Sequence, residues 1–333
     1  MSSSTLIIAE AGVNHNGCVT LALDLVDAAA QAGADIVKFQ IFRASDIVTA
    51  SAPCAEYQLS GGQSSQYELL SRLELSVEDY AIIMQRCEER KIQFLASAFD
   101  LNGLRILKKW DLPLVKIPSG ELTNAIFLRE LGAIAGRKLL STGMATLGEI
   151  EEALLVLEAA GTPRSDITLL QCTTEYPAPY EEVNLLAMDT MERAFKLPVG
   201  FSDHTLGTEA SIAAVALGAV VIEKHLTLDR LMEGPDHRAS LEPAEFQTMV
   251  RSIRNIELAL GNGIKKPTAS EEKNKLVVRK SIVALRDIKS GDRFKIDNIG
   301  IRRPGTGLPI SMWDKVLGRL ATRDFAEGDL IEL

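Results

Sequence analysis

The 333-residue chain reads as an α/β protein, a (β/α)8 TIM barrel followed by a small β-rich domain. Three observations predict this. Eight short runs rich in Val, Ile and Leu recur through the first two thirds, apolar on both faces as the strands of a covered parallel sheet must be. Helical segments of about 10–18 residues alternate with them, the crossovers that parallel neighbours require. The repetition ends near Gly263, at the size of one (β/α)8 barrel, and short strands with turns take over beyond Lys280. A doubly wound open sheet is the competing architecture, but eight strands and no Gly-rich dinucleotide turn favour the barrel.

The strand candidates are TLIIAEAG (5–12), DIVKFQ (35–40), QFLASAF (93–99), PLVKIPSG (113–120), KLLSTG (138–143), ITLLQCT (167–173), PVGFSD (198–203) and AVVIEKHL (219–226). Between them run helical segments such as LALDLVDAAAQAG, VEDYAIIMQRCEERK and TLGEIEEALLVLEAAG, with PAEFQTMVRSIRNIELALG closing the series. Several end in Gly, the residue that best adopts the left-handed cap. Thr146 with Glu149 makes a capping box. The second connection, Phe42 to Ser76, shows no periodicity and is long enough to be a lid or binding loop. The expected domains are 1–264 for the barrel, 265–279 for a charged linker and 280–333 for the β-rich domain. Within the last, DIKSGD and DFAEGD repeat one acidic-turn phrase.

Composition excludes several classes. A net charge of −9, with no basic arm or stripe, argues against a nucleic-acid partner. Cys18, Cys54, Cys87 and Cys172 are scattered without CxxC spacing, which suits a reducing compartment. No apolar run reaches about 18 residues, and Met1-Ser-Ser-Ser lacks the basic start of a signal peptide, so no membrane partner and a cytoplasmic location are expected.

In a barrel the chemistry sits where the strands end. Three of the four histidines, His204, His225 and His237, fall between Leu197 and His237. His204 and His225 each end an apolar run and each precede a Thr, so they should emerge side by side at one sheet edge. Neutral imidazoles so placed are ligands for a divalent metal; the plainer alternative is two hydrogen-bonded, partly buried rings. Lys38 and Lys116 lie inside apolar strands and need a partner there. With Ser97, Ser119, Ser141 and Ser202 they make a cradle for phosphate and carboxylate. The alternative is an internal salt bridge with Glu10, Glu121 or Glu223. Glu10 and Glu121 are candidate general bases, and Glu121 is also a candidate substrate contact. Gln40 and Tyr176 could bind sugar hydroxyls, and Asp236 lies in the loop after the last strand. Asp203 could orient the ring of His204 or ligate alongside it. Alternation points Lys224 away from the side of His225.

The phrases IIAEAGVNHNG, DIVKFQ, KIPSGELTN, LLSTGMATLGEI, TTEYPAPYEEVNL, GFSDHTLG, IEKHLTLD and GPDHRASLEP resemble the sialic acid (nonulosonate) synthase family, over nearly the whole chain and in order. The tail, RKSIVALRDIKSGDRF to IRRPGTG, resembles that family's C-terminal SAF, or antifreeze-like, domain. The resemblance implies a transferase that condenses phosphoenolpyruvate with an N-acetylated hexosamine and water, releasing phosphate and a nine-carbon 2-keto sugar acid. It implies dependence on Mn2+ or Mg2+ and a homodimer in which one SAF domain covers the partner's active site. It makes His204 and His225 the metal ligands, places Lys38, Ser97, Lys116, Ser119, Ser141 and Ser202 around phosphoenolpyruvate, and gives Glu10 the protons or the attacking water. Gln40, Tyr176 and Asp236 become sugar contacts, and Arg303 reaches over to the N-acetyl group. Two positions depart from the family pattern: Thr174, where some members have Asn, and Ser97-Ala98, where many have Thr-Pro. ManNAc is the expected acceptor, giving N-acetylneuraminate; the alternative is a 2,4-diacetamido-2,4,6-trideoxymannose, giving N,N'-diacetyllegionaminate. More distant readings are a metal-dependent aldolase or isomerase on the same barrel, and a carbohydrate-binding tail on a degenerate one.

Overall fold

A computed structural model describes residues 4–49 and 65–333. The middle of the long second connection, with Cys54, falls outside the described residues. The chain divides into two compact units, Met1–Gly261 and Asn262–Leu333.

The first unit is a closed, all-parallel barrel. Its strands are β1 (Leu6–Gly12), β2 (Ile36–Ile41), β3 (Gln93–Ala98), β4 (Leu114–Ile117), β5 (Arg137–Ser141), β6 (Ile167–Cys172), β7 (Val199–Asp203) and β8 (Val221–His225). Closure is between β8 and β1, where Glu10 pairs with His225. Outward side chains such as Ile7, Phe39, Phe94, Ile117, Leu140, Phe201 and Ile222 join the helices in one large buried cluster. Inward side chains Ile8, Ile36, Leu95, Leu114, Leu139, Leu170 and Val221 form a second cluster inside the barrel. On β7 the matching position is Gly200, because a Cβ there would lie 2.6 Å from the Val221 carbonyl and 2.7 Å from Leu170 Cδ2. This layer is a packed floor, and the site is built above it.

The helix starts follow local chemistry. Ser76 with Asp79, and Thr146 with Glu149, form reciprocal capping boxes, and Gly33 closes Val19–Ala32 in the left-handed conformation. The second connection contains two short helices that its sequence does not signal, Ala44–Ile47 and Gln66–Ser71. They are too short to show a 3.6-residue period. Among the described residues, no helix is long and apolar enough to cross a membrane.

In the second unit, the stretch expected as a linker carries the helix Ala269–Val278, capped by Thr268 and without a buried residue. Its apolar residues, Leu276, Val277 and Val278, are consecutive rather than spaced at a helical period, which is why periodicity missed it. Beyond it, β9 (Ser281–Ala284) and β10 (Ile299–Arg302) pair antiparallel over a core of Ile282, Ile288, Phe294, Ile299, Val316, Phe325 and Ile331. The two repeated phrases pair with each other. Ile288 and Phe325 exchange both backbone hydrogen bonds at 2.9 Å. Asp324 accepts from Ser290 N–H at 2.8 Å, as Asp287 does from Glu327 N–H at 3.1 Å.

Candidate active site

Two residues beyond the apolar floor, the inward position of every strand changes character. The layer reads Glu10, Lys38, Ser97, Lys116, Ser141, Cys172, Ser202 and Glu223 from β1 to β8. Register agrees: Glu10 pairs with Lys38, Ser97 with Lys116, Cys172 with Ser202, and Ser202 with Glu223. All eight are buried, and all line one cavity of about 600 Å3 at the C-terminal mouth.

The charges in this layer are paired. Lys38 Nζ lies 3.2 Å from Glu10 and 3.4 Å from Glu223, and Lys116 Nζ lies 3.2 Å from the other Glu223 oxygen. Both lysines thus take the internal partners that their burial demands, with Glu223 shared and Glu121 uninvolved. Lys38 also reaches Ser97 Oγ at 3.4 Å, and Ser202 Oγ donates to Glu223 at 2.9 Å. The two carboxylates are driven apart in acidity. Burial pushes Glu10 up, beyond what Lys38 reverses, and leaves its Oε2 without a hydrogen-bond partner. Burial also acts on Glu223, but Lys116 and Lys38 outweigh it and hold that carboxyl well below the usual range. The two environments thus favour the ionised form of Glu223 and disfavour that of Glu10. For Lys38, burial is outweighed by Glu10 and Glu223, which raise it; for Lys116, burial prevails over Glu223 and lowers it.

One step nearer the mouth stand the two histidines, their rings 5.6 Å apart. His204 Nδ1 donates to the Thr173 carbonyl at 2.6 Å, and its Nε2 lies 3.5 Å from Ser202 Oγ; burial lowers this ring, but Cys172 and the Thr173 carbonyl outweigh it and raise it above its ordinary value. Nδ1 of His225 is buried without a hydrogen-bond partner, 3.8 Å from Asp236 Oδ2. Burial, with His204 and Lys38 nearby, holds His225 well below its ordinary value, in the neutral form that ligates. Among the described residues, no group of three or more His, Cys, Asp or Glu is gathered for a metal ion. The residues here that could hold a divalent ion are the two imidazoles, His204 and His225.

All the remaining expected residues but Arg303 and Asp203 line the same cavity. Gln40 Nε2 donates to Glu10 at 3.0 Å, and Tyr176 stacks on His204 with ring centres 4.1 Å apart. Ser119 accepts from Gly143 N–H at 3.0 Å, and Glu121, half-buried at the rim, accepts from Asn124 at 2.7 Å. Ser141 Oγ is buried without a partner. Burial raises Asp236 to about 6, Glu10 adding to the effect and His204 and Lys38 opposing it. Arg303 belongs to the other unit, where it is exposed and donates to the Val278 carbonyl at 3.0 Å. Asp203, expected to orient the His204 ring or ligate beside it, instead bonds Thr205 and Ser211. It alternates outward and pairs with Lys224. His237 takes the plainer role of a buried ring bonded to Thr227 Oγ1 at 2.7 Å.

Two residues join the site beyond those expected to act in it, Glu223 having been foreseen only as a salt-bridge partner and Cys172 not at all. Glu223 bridges both lysines, and Cys172 Sγ lies 3.8 Å from His204 Nδ1. The signal was present: Glu223 shares the inward face of β8 with His225, and Cys172 occupies on β6 the layer that Ser202 occupies on β7.

A closed β/α barrel whose C-terminal mouth gathers paired lysines, opposed carboxylates and two imidazoles has the make-up of an enzyme active site, at the end where such barrels carry it. The NeuB family pattern matches residues 25–265, and the SAF domain pattern residues 279–332. The chain is 50% identical over 329 residues, 98% of each chain, to the N,N'-diacetyllegionaminic acid synthase of Campylobacter jejuni. It is 42% identical to the protein of that name from Legionella pneumophila, over 98% of this chain and 93% of that one. The crystal structure of N-acetylneuraminic acid synthetase from Leptospira borgpetersenii, in complex with citrate, matches with a TM-score of 0.71 and 33% identity, over 82% of this chain and 90% of that one. The chain belongs to the NeuB family, the phosphoenolpyruvate-condensing nonulosonate synthases, and carries that family's SAF domain.

Proposed function

We propose that the protein condenses phosphoenolpyruvate with 2,4-diacetamido-2,4,6-trideoxymannose and water, giving N,N'-diacetyllegionaminate and phosphate. The observation that carries the acceptor is the pair of legionaminic acid synthases, 50% and 42% identical over 98% of this chain. They favour the 6-deoxy diacetamido sugar over ManNAc, the acceptor first expected from sequence. ManNAc stands second, supported by the 33% identical Leptospira synthetase.

The polar layer supports the chemistry. Lys38 and Lys116 hold the phosphate and carboxylate of phosphoenolpyruvate, and Ser97, Ser119 and Ser141 donate hydrogen bonds to their oxygens. The ligand-free layer already balances two ammonium groups against two carboxylates. An entering anion therefore favours protonation of one carboxylate, and Glu10, whose acidity burial has weakened, is the one to take it. Gln40, Tyr176, Glu121 and Asp236 contact the sugar. His204 and His225 would hold the divalent ion, which when bound polarises the aldehyde oxygen of the open-chain sugar. Carbon 3 of phosphoenolpyruvate bonds to the aldehyde carbon, and the aldehyde oxygen takes the proton that Glu10 carries. Water adds at carbon 2 and gives up a proton to the Glu10 carboxylate so restored. The carbon 2–oxygen bond to phosphate then breaks, leaving the ketone. Fixed charges at the layer favour this sequence because they need no reorganisation when charge develops.

The enzyme is proposed to act in the cytoplasm, as a homodimer in which Arg303 of one subunit's SAF domain reaches the acceptor bound in the other. Steady-state kinetics with both sugars, read as phosphate release, tests the function. The expected result is a kcat/KM at least about tenfold higher with the diacetamido sugar, about 1.4 kcal/mol of discrimination. A preference for ManNAc would overturn the acceptor assignment, and turnover without phosphate release would favour an aldolase or isomerase. Dialysis against a chelator should abolish turnover and Mn2+ restore it.

A further inference from the structure

Immediately behind the histidines, on the outer face of the barrel, lies a charged pair that the reaction does not use. Asp203 and Lys224 are partners across the last rung of β7 and β8, one residue before His204 and one before His225. Alternation turns both outward as it turns both histidines inward. Their side chains are 0% exposed, and Lys224 Nζ lies 3.0 Å from Asp203 Oδ2. The remaining valences are filled. Asp203 Oδ1 accepts from Thr205 N–H and Thr205 Oγ1, both at 2.8 Å, and its Oδ2 accepts from Ser211 Oγ at 2.6 Å. Lys224 Nζ donates to the Thr205 carbonyl at 2.5 Å and reaches Thr205 Oγ1 at 3.3 Å.

Together these bonds lock the register of β7 against β8, pin the residue after His204 and anchor both to the helix Glu209–Ala216. A buried ion pair is seldom the most stabilising way to fill such a space, since apolar residues of similar volume often do as well. A directional network does what apolar packing does not: it fixes the angle and spacing at which two neighbouring side chains leave their strands.

We infer that Asp203 and Lys224 are positioning residues that set the geometry of the His204–His225 donor pair and thereby the affinity for divalent metal. The inference rests on the reading of those histidines as the metal ligands.

The test is Mn2+ titration of the full-length protein, followed by the electron paramagnetic resonance of free Mn2+, alongside thermal melting. Lys224→Met and Asp203→Asn should weaken Mn2+ binding about 10–100-fold, as loss of groups that orient ligands does elsewhere. The double variant Asp203→Leu/Lys224→Met should regain most of the melting temperature without regaining Mn2+ affinity; a purely structural role would restore both together. Ser211→Ala removes one bond to Asp203 from outside the barrel. If the strand variants do not fold, it carries the test, with about a threefold weakening expected from one lost hydrogen bond. Folded variants that bind Mn2+ within about twofold of the unsubstituted protein, while His225→Ala loses binding, would overturn the positioning role alone. Undiminished binding by His225→Ala would overturn the ligand reading and this inference with it.

Discussion

Two neighbouring layers of side chains fill the barrel, and they differ in almost everything except their strands. The lower one, with Ile8, Ile36, Leu95, Leu114, Leu139, Leu170 and Val221, is apolar and buried. The upper one, two residues further along each strand, holds Glu10, Lys38, Ser97, Lys116, Ser141, Cys172, Ser202 and Glu223, equally buried. Burial therefore does not separate core from site in this protein. What separates them is satisfaction. The lower layer is complete by itself, whereas the upper layer leaves Glu10 Oε2, Ser141 Oγ and, just above, His225 Nδ1 without hydrogen-bond partners. Buried polar groups left open in this way are costly unless something else is meant to meet them. The floor gives stability, and the layer above it gives up some stability for chemistry.

Substitutions across the two layers test that division. The largest effect is expected for Lys38→Met, which removes the ammonium shared by Glu10 and Glu223. Phosphate release should fall about 1,000-fold or more as the phosphoenolpyruvate contact is lost. Urea unfolding should show a loss of about 3 kcal/mol from the uncompensated carboxylates. Activity within tenfold of normal would erase the contrast. Next comes Glu10→Gln, which keeps the shape of the layer. Turnover should drop about 100–10,000-fold, the usual worth of a general acid–base group. Phosphoenolpyruvate affinity, measured by equilibrium titration, should stay close to normal; a raised KM with normal kcat would instead make Glu10 a binding residue.

The floor should answer in the opposite sense. Leu170→Ala should cost about 2–5 kcal/mol in urea unfolding through the cavity it opens. Its kcat/KM per folded molecule should barely change, and a selective loss of activity would show that the floor shapes the site. The smallest effect is expected for Ser141→Ala. Its hydroxyl has no partner in the protein, so the melting temperature should be unchanged. The KM for phosphoenolpyruvate should rise about fivefold, the worth of one hydrogen bond near 1 kcal/mol. A lower melting temperature would mean that Ser141 belongs with the floor after all.

The amino-acid sequence determined by itself the eight strands, each with its ends within three residues of those observed, and their parallel arrangement. Those properties depend on short apolar runs and on the helical period between them, which are readable a few residues at a time. Lys38, Lys116, His204 and His225 were legible as site members because they interrupt or end such runs. Tertiary structure alone decided how the charges divide. That Lys38 shares Glu223 with Lys116, that Asp203 turns away to Lys224, and that His225 keeps an open nitrogen all depend on barrel closure. An ion pair forms where three-dimensional closure leaves two buried charges within reach, and strand periodicity names the candidates without choosing among them.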